Sequence, residues 1–549
     1  MESIPTTPVE GMPSQKDKWH TINLNSEVDN DASADFETAV KACGFGRFNI
    51  LLLCVSIPAI MACVFETAVM SYILPSAECD LSLDLVDKGI LNAIAYAGMI
   101  VSAIGWGYLA DRKGRRNLLI FGYLMDGLCV LCAAISQSIV QLMVAKFFGG
   151  FVISGPFAIL MSYLAEFHDS NHRSHIMMIV GIMFATANIS LPVLALLILP
   201  NDWNFEIFNM NFVAWKVFVA VSAIPSILST ILFGMFPESP RFLMSQGRND
   251  EAMETFKKMY ALNTGKLKET YPIKSLNEET QQKTPKNRIA TIATTITEMN
   301  NPNPNLQHEN DTSEAIKQPN TFRVLCSKPY LGLCIMVCIM QFFVLLGLNT
   351  LRLWLPQLFA SLNEYKHISS ESTSMCTVLE YSVNKTELVK DPTSVCNVII
   401  TPASYTNNIV VACAMFIAYL VAGTLINALG TKRIQVIGLA AAGTCGCALY
   451  WSYSSLSTLI ISSLYVAFGS MANTSVIGSS VNLFPTSLRT MIVSLTLMVG
   501  RTGSIFGNIL FPIFMSFGCI PPFIMFGVVM FLGVVLAASL PNSHKVDLK

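Results

Sequence analysis

The stretch GYLADRKGRRN, residues 107–117, places one acid and four bases within residues 111–116 of a chain that is only 13% charged. Strongly apolar stretches flank it, at about 88–110 and 117–136. The glycines at 107 and 114 permit close approach and a tight reversal of the backbone. The segment therefore predicts a short, charged connection between two apolar helices.

Composition indicates that these helices meet lipid. The 549 residues are 52% hydrophobic and the mean hydropathy is +0.52, which is too apolar for a soluble protein. A bilayer core of roughly 30 Å takes about 20 apolar residues per helix. Runs of this kind predict twelve spans, near residues 48–73, 88–110, 117–136, 139–165, 176–199, 214–236, 329–356, 404–429, 434–453, 457–482, 491–515 and 519–540.

The second half of the chain repeats features of the first. GYLADRKG at 107–114 aligns with GTLINALG at 423–430, so that both glycines and the leucine coincide. Glu166 lies seven residues before Arg173 after the fourth span, and an asparagine and an arginine at 482 and 489 repeat that spacing after the tenth. These matches predict an all-α membrane protein of twelve transmembrane helices in two six-helix pseudo-repeat bundles, with a binding site between them.

The polar segments define the remaining organisation. We predict an amino-terminal tail at 1–47, a first bundle at 48–236, a linker at 237–328, a second bundle at 329–540 and a carboxy-terminal tail at 541–549. The linker begins with an amphipathic helix, in which Ala252, Phe256, Met259 and Tyr260 have helical spacing. From about 273 to 320 its composition is typical of a disordered segment. A long connection at 361–403 lies on the opposite side of the membrane.

The distribution of charge predicts the orientation. The net charge of −1 argues against a nucleic-acid partner. Bases concentrate in the connections after spans two, eight and ten, and the first 47 residues contain no apolar core of a signal peptide. We therefore expect both termini in the cytosol, in either the plasma membrane or an intracellular vesicle.

Two modifications are predicted in the connection at 361–403. Cys376 and Cys396 fall on the non-cytosolic side, where disulfides form, although Cys79 is an alternative partner. Asn384 begins the acceptor pattern Asn-Lys-Thr and is the predicted glycosylation site.

Four charged residues lie inside the predicted spans: Glu66, Asp126, Arg352 and Arg501. An unpaired charge at the bilayer centre costs about 2.5 to 3.5 kcal/mol on insertion scales. These groups therefore need partners or water. A carboxylate in a cavity can take up a proton or bind a cation, and an arginine offers a fixed fork for an anion.

Several motifs resemble a known family. GYLADRKGRR resembles the loop signature of the major facilitator superfamily, and PESPRFL at 237–243 resembles the segment after the sixth helix in its sugar and organic-ion branches. CGFGRFN at 43–49, LPSAECDL at 74–81 and YLAEFHDSNHR at 163–173 resemble the synaptic-vesicle-glycoprotein-like transporters. The resemblance implies alternating access around a cavity lined chiefly by the first, fourth, seventh and tenth helices.

The resemblance and the charges together predict the solute site. Glu66, Arg352 and Arg501 are the predicted substrate-binding residues, whereas Asp126 is expected to form a structural pair, with Lys146 as a candidate partner. Four aromatic residues are candidates for shaping the site: Phe65, Tyr96, Trp354 and Tyr405. In the tenth predicted span, the family's Trp and Asp are replaced by Asn473 and Ile477.

The predicted gate lies at the cytosolic ends of the helices. Asp111 is expected to pair with Arg115 or Arg116, and Glu166 with Arg112 or Arg173. In the second half, Arg489 is the counterpart of Arg173, while asparagines replace the two acids. The alternative is that these bases serve only to fix topology.

The predicted function is secondary-active transport of a small organic ion, anionic or zwitterionic, with a proton or cation as a possible coupling ion. No nucleophile, metal-ligand or phosphate-loop pattern stands out, so we predict neither an enzyme nor a bound cofactor. The alternative is a transport-inactive membrane receptor or scaffold of the synaptic-vesicle-glycoprotein type.

Overall fold

The computed structural model describes residues 33–201, 203–207, 210–277, 325, 327–328, 330–368, 374–389 and 401–541. Within these residues, 12 helices are long and apolar enough to cross a membrane. The predicted fold class, an all-α membrane protein with two six-helix bundles, is confirmed.

The first half contains six spans, the sixth of which is formed by α7 and α8 together. A two-stranded antiparallel hairpin, β1 (Asn204–Ile207) and β2 (Met210–Val213), joins α6 to α7. The helices are α1 (Phe36–Cys43), α2 (Arg47–Ala77), α3 (Leu85–Lys113), α4 (Arg115–Ala134), α5 (Ile139–Glu166), α6 (Ser170–Ile198), α7 (Ala214–Ser222), α8 (Ile224–Gly234), α9 (Pro240–Ser245) and α10 (Asn249–Thr264).

The second half contains the other six spans and one further helix, α12, in the long connection. Its helices are α11 (Tyr330–Ile368), α12 (Met375–Val389), α13 (Pro402–Leu429), α14 (Thr431–Ala448), α15 (Ser455–Asn482), α16 (Thr486–Ser516) and α17 (Ile520–Ser539). We call the face that carries α9 and α10 the linker face, and the opposite face, which carries α12, the α12 face.

The two halves turn at equivalent glycines. Gly114 joins α3 to α4 with φ +87° and ψ 156°, and Gly430 joins α13 to α14 with φ +81° and ψ 154°. Residues that carry a Cβ atom rarely adopt a backbone conformation with positive φ. The same tight reversal therefore occurs at the same place in both repeats.

Each half has its own apolar core, and the two cores meet along a seam. Across the seam, α3 packs against α16, α6 against α13, and α2 against α11. Within the first half, α5 approaches its neighbours closely at two consecutive glycines. A Cβ on Gly149 would overlap the carboxylate of Glu66, and one on Gly150 would overlap the backbone of Ala95. The two glycines therefore allow α5 to pack closely against α2 and α3.

A cap of short elements covers the linker face of the first half. The apolar face of α10 is buried, as its spacing predicts. It packs against two other short helices, α1 and α9. The Sγ of Cys43 donates to the carbonyl of Phe256 at 3.4 Å. Burial raises the pKa of the Cys43 thiol to about 12, so it stays protonated at neutral pH. From residue 278 on, the predicted disordered stretch lies outside the described residues.

Candidate functional site

A cavity of about 180 Å³ lies between the halves. Its walls come from α2, α3, α5 and α6 on one side and from α11, α13, α15 and α16 on the other. The lining residues are Cys63, Thr67, Tyr96, Met99, Phe157, Phe184, Leu345, Leu348, Asn349, Arg352, Met415, Tyr419, Ser470, Asn473, Leu497 and Arg501. The position between repeats is where this architecture binds its solutes.

Two arginines of the second half reach across the cavity to the first. Arg352 on α11 donates from Nη1 to Oδ1 of Asn188 on α6 at 2.8 Å. Arg501 on α16 donates from Nη1 to Oγ of Ser154 on α5 at 3.3 Å. Both acceptors are neutral, so neither contact compensates the charge of its arginine.

The charge of this cavity is one-sided. No carboxylate is present among the described residues that line it. The Nε of Arg352 is also buried without a hydrogen-bond partner among the described atoms. The cavity therefore presents cationic donors, and none of its described lining residues offers an anionic side chain to them.

The remaining walls combine amides with aromatic rings. Asn349 donates to Ser504 at 2.7 Å, and Asn473 accepts from Gln341 at 2.8 Å. Four rings line the cavity, those of Tyr96, Phe157, Phe184 and Tyr419. Of the aromatic residues singled out from the sequence, only Tyr96 is among them, whereas Phe65, Trp354 and Tyr405 are buried in the cores.

The structure does not place Glu66 in the cavity, so this part of the sequence-based prediction is corrected. Glu66 is 2% exposed, and its Oε2 lies 2.5 Å from Nζ of Lys146 on α5. Its neighbours Cys63 and Thr67 line the cavity instead. The carboxylate points into the first bundle because Gly149 leaves room for it there.

Asp126 belongs to the same buried group. Its Oδ2 accepts from Oγ of Ser226 at 2.5 Å, and it lies within electrostatic range of Glu66 and Lys146. The suggested Asp126–Lys146 ion pair is therefore corrected, since the ammonium of Lys146 contacts Glu66 directly. Two carboxylates thus share one lysine in the interior of the first half.

Charged residues also meet at the seam on the α12 face. In the first half, Nζ of Lys88 lies 2.9 Å from Glu78. In the second, Nζ of Lys385 on α12 lies 2.6 Å from Glu364. Lys88 is within electrostatic range of both members of the second pair. The two pairs thus face each other across the seam without a direct ion pair between them among the described residues.

The predicted disulfide is wrong. Cys376 at the start of α12 is bonded to Cys519, which precedes α17, with a Cα–Cα distance of 5.2 Å. The backbone N–H of Met375 also donates to the carbonyl of Ser452, which holds α12 against the second bundle. Cys79 is disulfide-bonded as well, and Cys396 lies outside the described residues. Asn384 is exposed on α12, and its glycosylation stays a prediction.

We expect peptide mapping under non-reducing conditions to recover a cross-linked pair of peptides that contain Cys376 and Cys519. Reduction should release both, and Cys519→Ser should remove the cross-link while leaving Cys376 free for alkylation. Cys54 is a free thiol, so it should be alkylated in the unfolded protein with or without reduction, and it serves as the labelling control. Recovery of Cys376 linked to Cys396 would contradict this assignment.

The predicted gating residues lie at the linker face of the first half. Oε1 of Glu238, from the PESPRFL segment, accepts from the backbone N–H groups of Arg115 and Arg116 at 2.9 and 3.0 Å. The guanidinium of Arg116 donates to the carbonyls of Phe233 and Gly234. Glu238 therefore caps the start of α4 and fixes it to the end of α8.

Glu166 does not pair as predicted. Its Oε1 lies 3.4 Å from Nε of Arg115, not from Arg112 or Arg173, and its Oε2 accepts from Ser239. Arg173 follows the turn after α5 and pairs with Glu37 of α1 at 2.6 Å.

Arg112 stacks on the ring of Tyr108, 4.4 Å from its centroid. The side chain of Asp111 lies outside the described residues, and Arg489 is partly exposed near the start of α16. The contacts seen here join helices of one half, and a gating role for these residues stays a prediction.

Among the described residues, no group of three or more His, Cys, Asp or Glu could hold a metal ion. Sequence reasoning missed the two acceptors, Asn188 and Ser154, that meet the arginines. Asn188 is a polar residue inside an apolar run, which is the signal that could have marked it.

Comparison with known proteins agrees with this geometry. The chain is 33% identical over 239 residues to synaptic vesicle glycoprotein 2B of Rattus norvegicus, which is 43% of this chain and 35% of that protein. It is 32% identical over 235 residues to synaptic vesicle glycoprotein 2A of the same organism, 42% of this chain and 32% of that one. The chain thus spans about a third of the length of these relatives.

Solved structures show the same fold. The xylose transporter XylE of E. coli, in a partially occluded inward-open conformation, superposes with a TM-score of 0.61 at 15% identity, over 90% of this chain and 100% of that one. A D-xylose-proton symporter gives 0.62 at 15% identity, over 90% of this chain and 98% of that one. The family model of the Major Facilitator Superfamily matches residues 56–379 and 401–547. With that match and this fold, the chain belongs to the major facilitator superfamily.

Proposed function

We propose that this protein is a secondary-active transporter that moves a small organic anion, or a zwitterion with an exposed anionic group, by alternating access. The observation that carries the proposal is the pair of arginines in the cavity between the halves, each of which donates to a neutral acceptor among the described residues. A charge kept inside a membrane protein without a counter-ion is costly, so its presence favours a functional role.

The seam supports the alternating-access part of the proposal. Two charged pairs lie at the α12 face, Lys88 with Glu78 in the first half and Lys385 with Glu364 in the second. Each pair lies within its own half, and the two pairs interact across the seam only at longer range. Rocking of the halves would therefore leave both pairs intact while it exposes the cavity to that face.

The buried charges of the first half suggest a site for a coupling ion, which we include in the proposal. Glu66, Asp126 and Lys146 are 2%, 0% and 1% exposed, and they contribute two carboxylates for one ammonium. In a medium of low dielectric this composition favours one proton or cation in addition to the lysine. Cys63, one turn before Glu66, lines the cavity, so the group lies directly behind the solute site.

The orientation and location follow from charge and relatives. We infer that the linker face is cytosolic, since it carries Arg112, Lys113, Arg115 and Arg116, as the positive-inside bias requires. The relatives are named for synaptic vesicles. For this chain, a vesicle membrane and the plasma membrane are both compatible with the proposal.

Flux through purified protein tests the proposal. We expect proteoliposomes to accumulate labelled organic anions above protein-free vesicles, with little uptake of organic cations or neutral sugars. Uptake should change between two pH values if a proton is coupled. Uptake of sugars or cations alone would contradict the proposal that the substrate is an anion. Absence of flux for every class of solute would favour the alternative of a transport-inactive receptor or scaffold.

A further inference from the structure

The two arginines contact the first half at different depths. Ser154 lies fifteen residues from the α12-face end of α5, and Asn188 lies ten residues from that end of α6. At 1.5 Å of rise per residue, the contacts lie about 22 Å along α5 and about 15 Å along α6 from the α12-face ends of these helices. The two guanidinium groups are therefore anchored at levels about 7 Å apart along the seam.

Both arginines border the same cavity. Both line the cavity of about 180 Å³, and Arg352 also borders a smaller chamber of about 30 Å³ with Asn188 and Asn408. The main cavity is smaller than the roughly 300 to 1,000 Å³ of most drug-sized ligand pockets. This volume therefore favours a compact solute between Arg501 and Arg352.

Each arginine also connects the halves. Arg352 and Arg501 belong to the second half, and their acceptors belong to the first. An anion that binds an arginine competes with its neutral acceptor, because a charged acceptor forms the stronger hydrogen bond. Binding at one arginine therefore releases one contact across the seam and leaves the other in place.

We propose that the transported solute is a compact dianion, with two anionic groups several ångströms apart, one held by each arginine. This inference rests on the proposed function and narrows its substrate class. A dianion neutralises both cations and releases both contacts across the seam, so it favours binding as well as movement. A monoanion leaves one cation unpaired and one contact intact.

The test compares dicarboxylates with their half-esters. Malonate, succinate, glutarate and adipate are offered to proteoliposomes, each beside its monomethyl ester. We expect one chain length to be optimal and its uptake to exceed that of its ester at least about tenfold, which corresponds to about 1.4 kcal/mol. Arg352→Gln should remove this preference by reducing dianion uptake to the level of the ester.

Controls separate this inference from the proposed function. Arg248→Gln removes an arginine that is paired with Glu251 outside the cavity, and its dianion preference should equal that of the unmodified protein. Equal uptake of each diacid and its ester would overturn the dianion while the anion transporter stands. Absence of uptake for every diacid and ester, in protein that transports other anions, would also overturn the dianion. Absence of all anion flux would overturn the proposed function itself.

Discussion

Replacement of Arg501 by glutamine is expected to lower organic-anion uptake by about 10- to 100-fold, because a hydrogen bond to a charged group contributes about 1.5 to 3 kcal/mol. Glutamine is shorter and neutral, so it offers the solute neither the charge nor the planar fork of the guanidinium. Among its described hydrogen bonds, Arg501 contacts only the hydroxyl of Ser154, at 3.3 Å. Its loss should therefore affect transport far more than folding.

The conservative variant sharpens this prediction. Arg501→Lys keeps the charge but loses the bidentate geometry, so its uptake should fall between those of the glutamine variant and the unmodified protein. Initial rates in proteoliposomes, normalised to protein recovered in the monodisperse peak, provide the measurement. The melting temperature of each variant should remain close to that of the unmodified protein. Unchanged uptake in Arg501→Gln would remove Arg501 from the solute site.

The fold was predictable because the features that determine it, long apolar runs and glycines at tight reversals, recur along the sequence. Twelve apolar runs mark the spans, and the shared glycines at 114 and 430 mark the repeat. Both signals are local: a bilayer requires length and hydropathy, and a tight reversal requires a residue that tolerates positive φ. Neither depends on knowing which helices become neighbours.

The partners of individual side chains were not predictable, because they depend on which helices become neighbours. Glu66, Glu166 and Cys376 were correctly marked as residues that need partners or can form bonds, but each partner lies on an element that sequence order does not identify. Cys519 is 143 residues from Cys376, and Lys146 was assigned to Asp126 rather than to Glu66. The charge of a residue shows that it needs a partner, whereas packing selects that partner.

The cavity between the halves, where we propose that the solute binds, contains both kinds of residue. Arg352 and Arg501 were identified because a charge in an apolar span is rare and costly. Asn188 and Ser154, which meet them, belong to residue types that transmembrane helices accept more readily. The cationic side of the cavity was therefore predictable, and the neutral side became visible only in the folded chain.

Loss of one partner of the Lys146–Glu66 ion pair should destabilise the first half strongly. We expect Lys146→Gln to destabilise the protein by about 3 to 5 kcal/mol, since removal of one partner leaves a buried charge uncompensated. The penalty is high here because Glu66 and Asp126 share this one lysine and are 2% and 0% exposed. Thermal unfolding in detergent, followed by loss of the monodisperse peak, measures the effect.

Glu66→Gln should be milder than Lys146→Gln, because Asp126 remains within electrostatic range of the lysine. Combining Glu66→Gln with Lys146→Gln should recover part of the loss, since only Asp126, rather than both carboxylates, then remains buried without the lysine. The matched control is Arg248→Gln in the exposed Arg248–Glu251 pair, which should change stability by at most about 1 kcal/mol. If Lys146→Gln were no more destabilising than that control, the buried group would not hold the charges proposed for it. Its role in binding a coupling ion would then lose its physical basis.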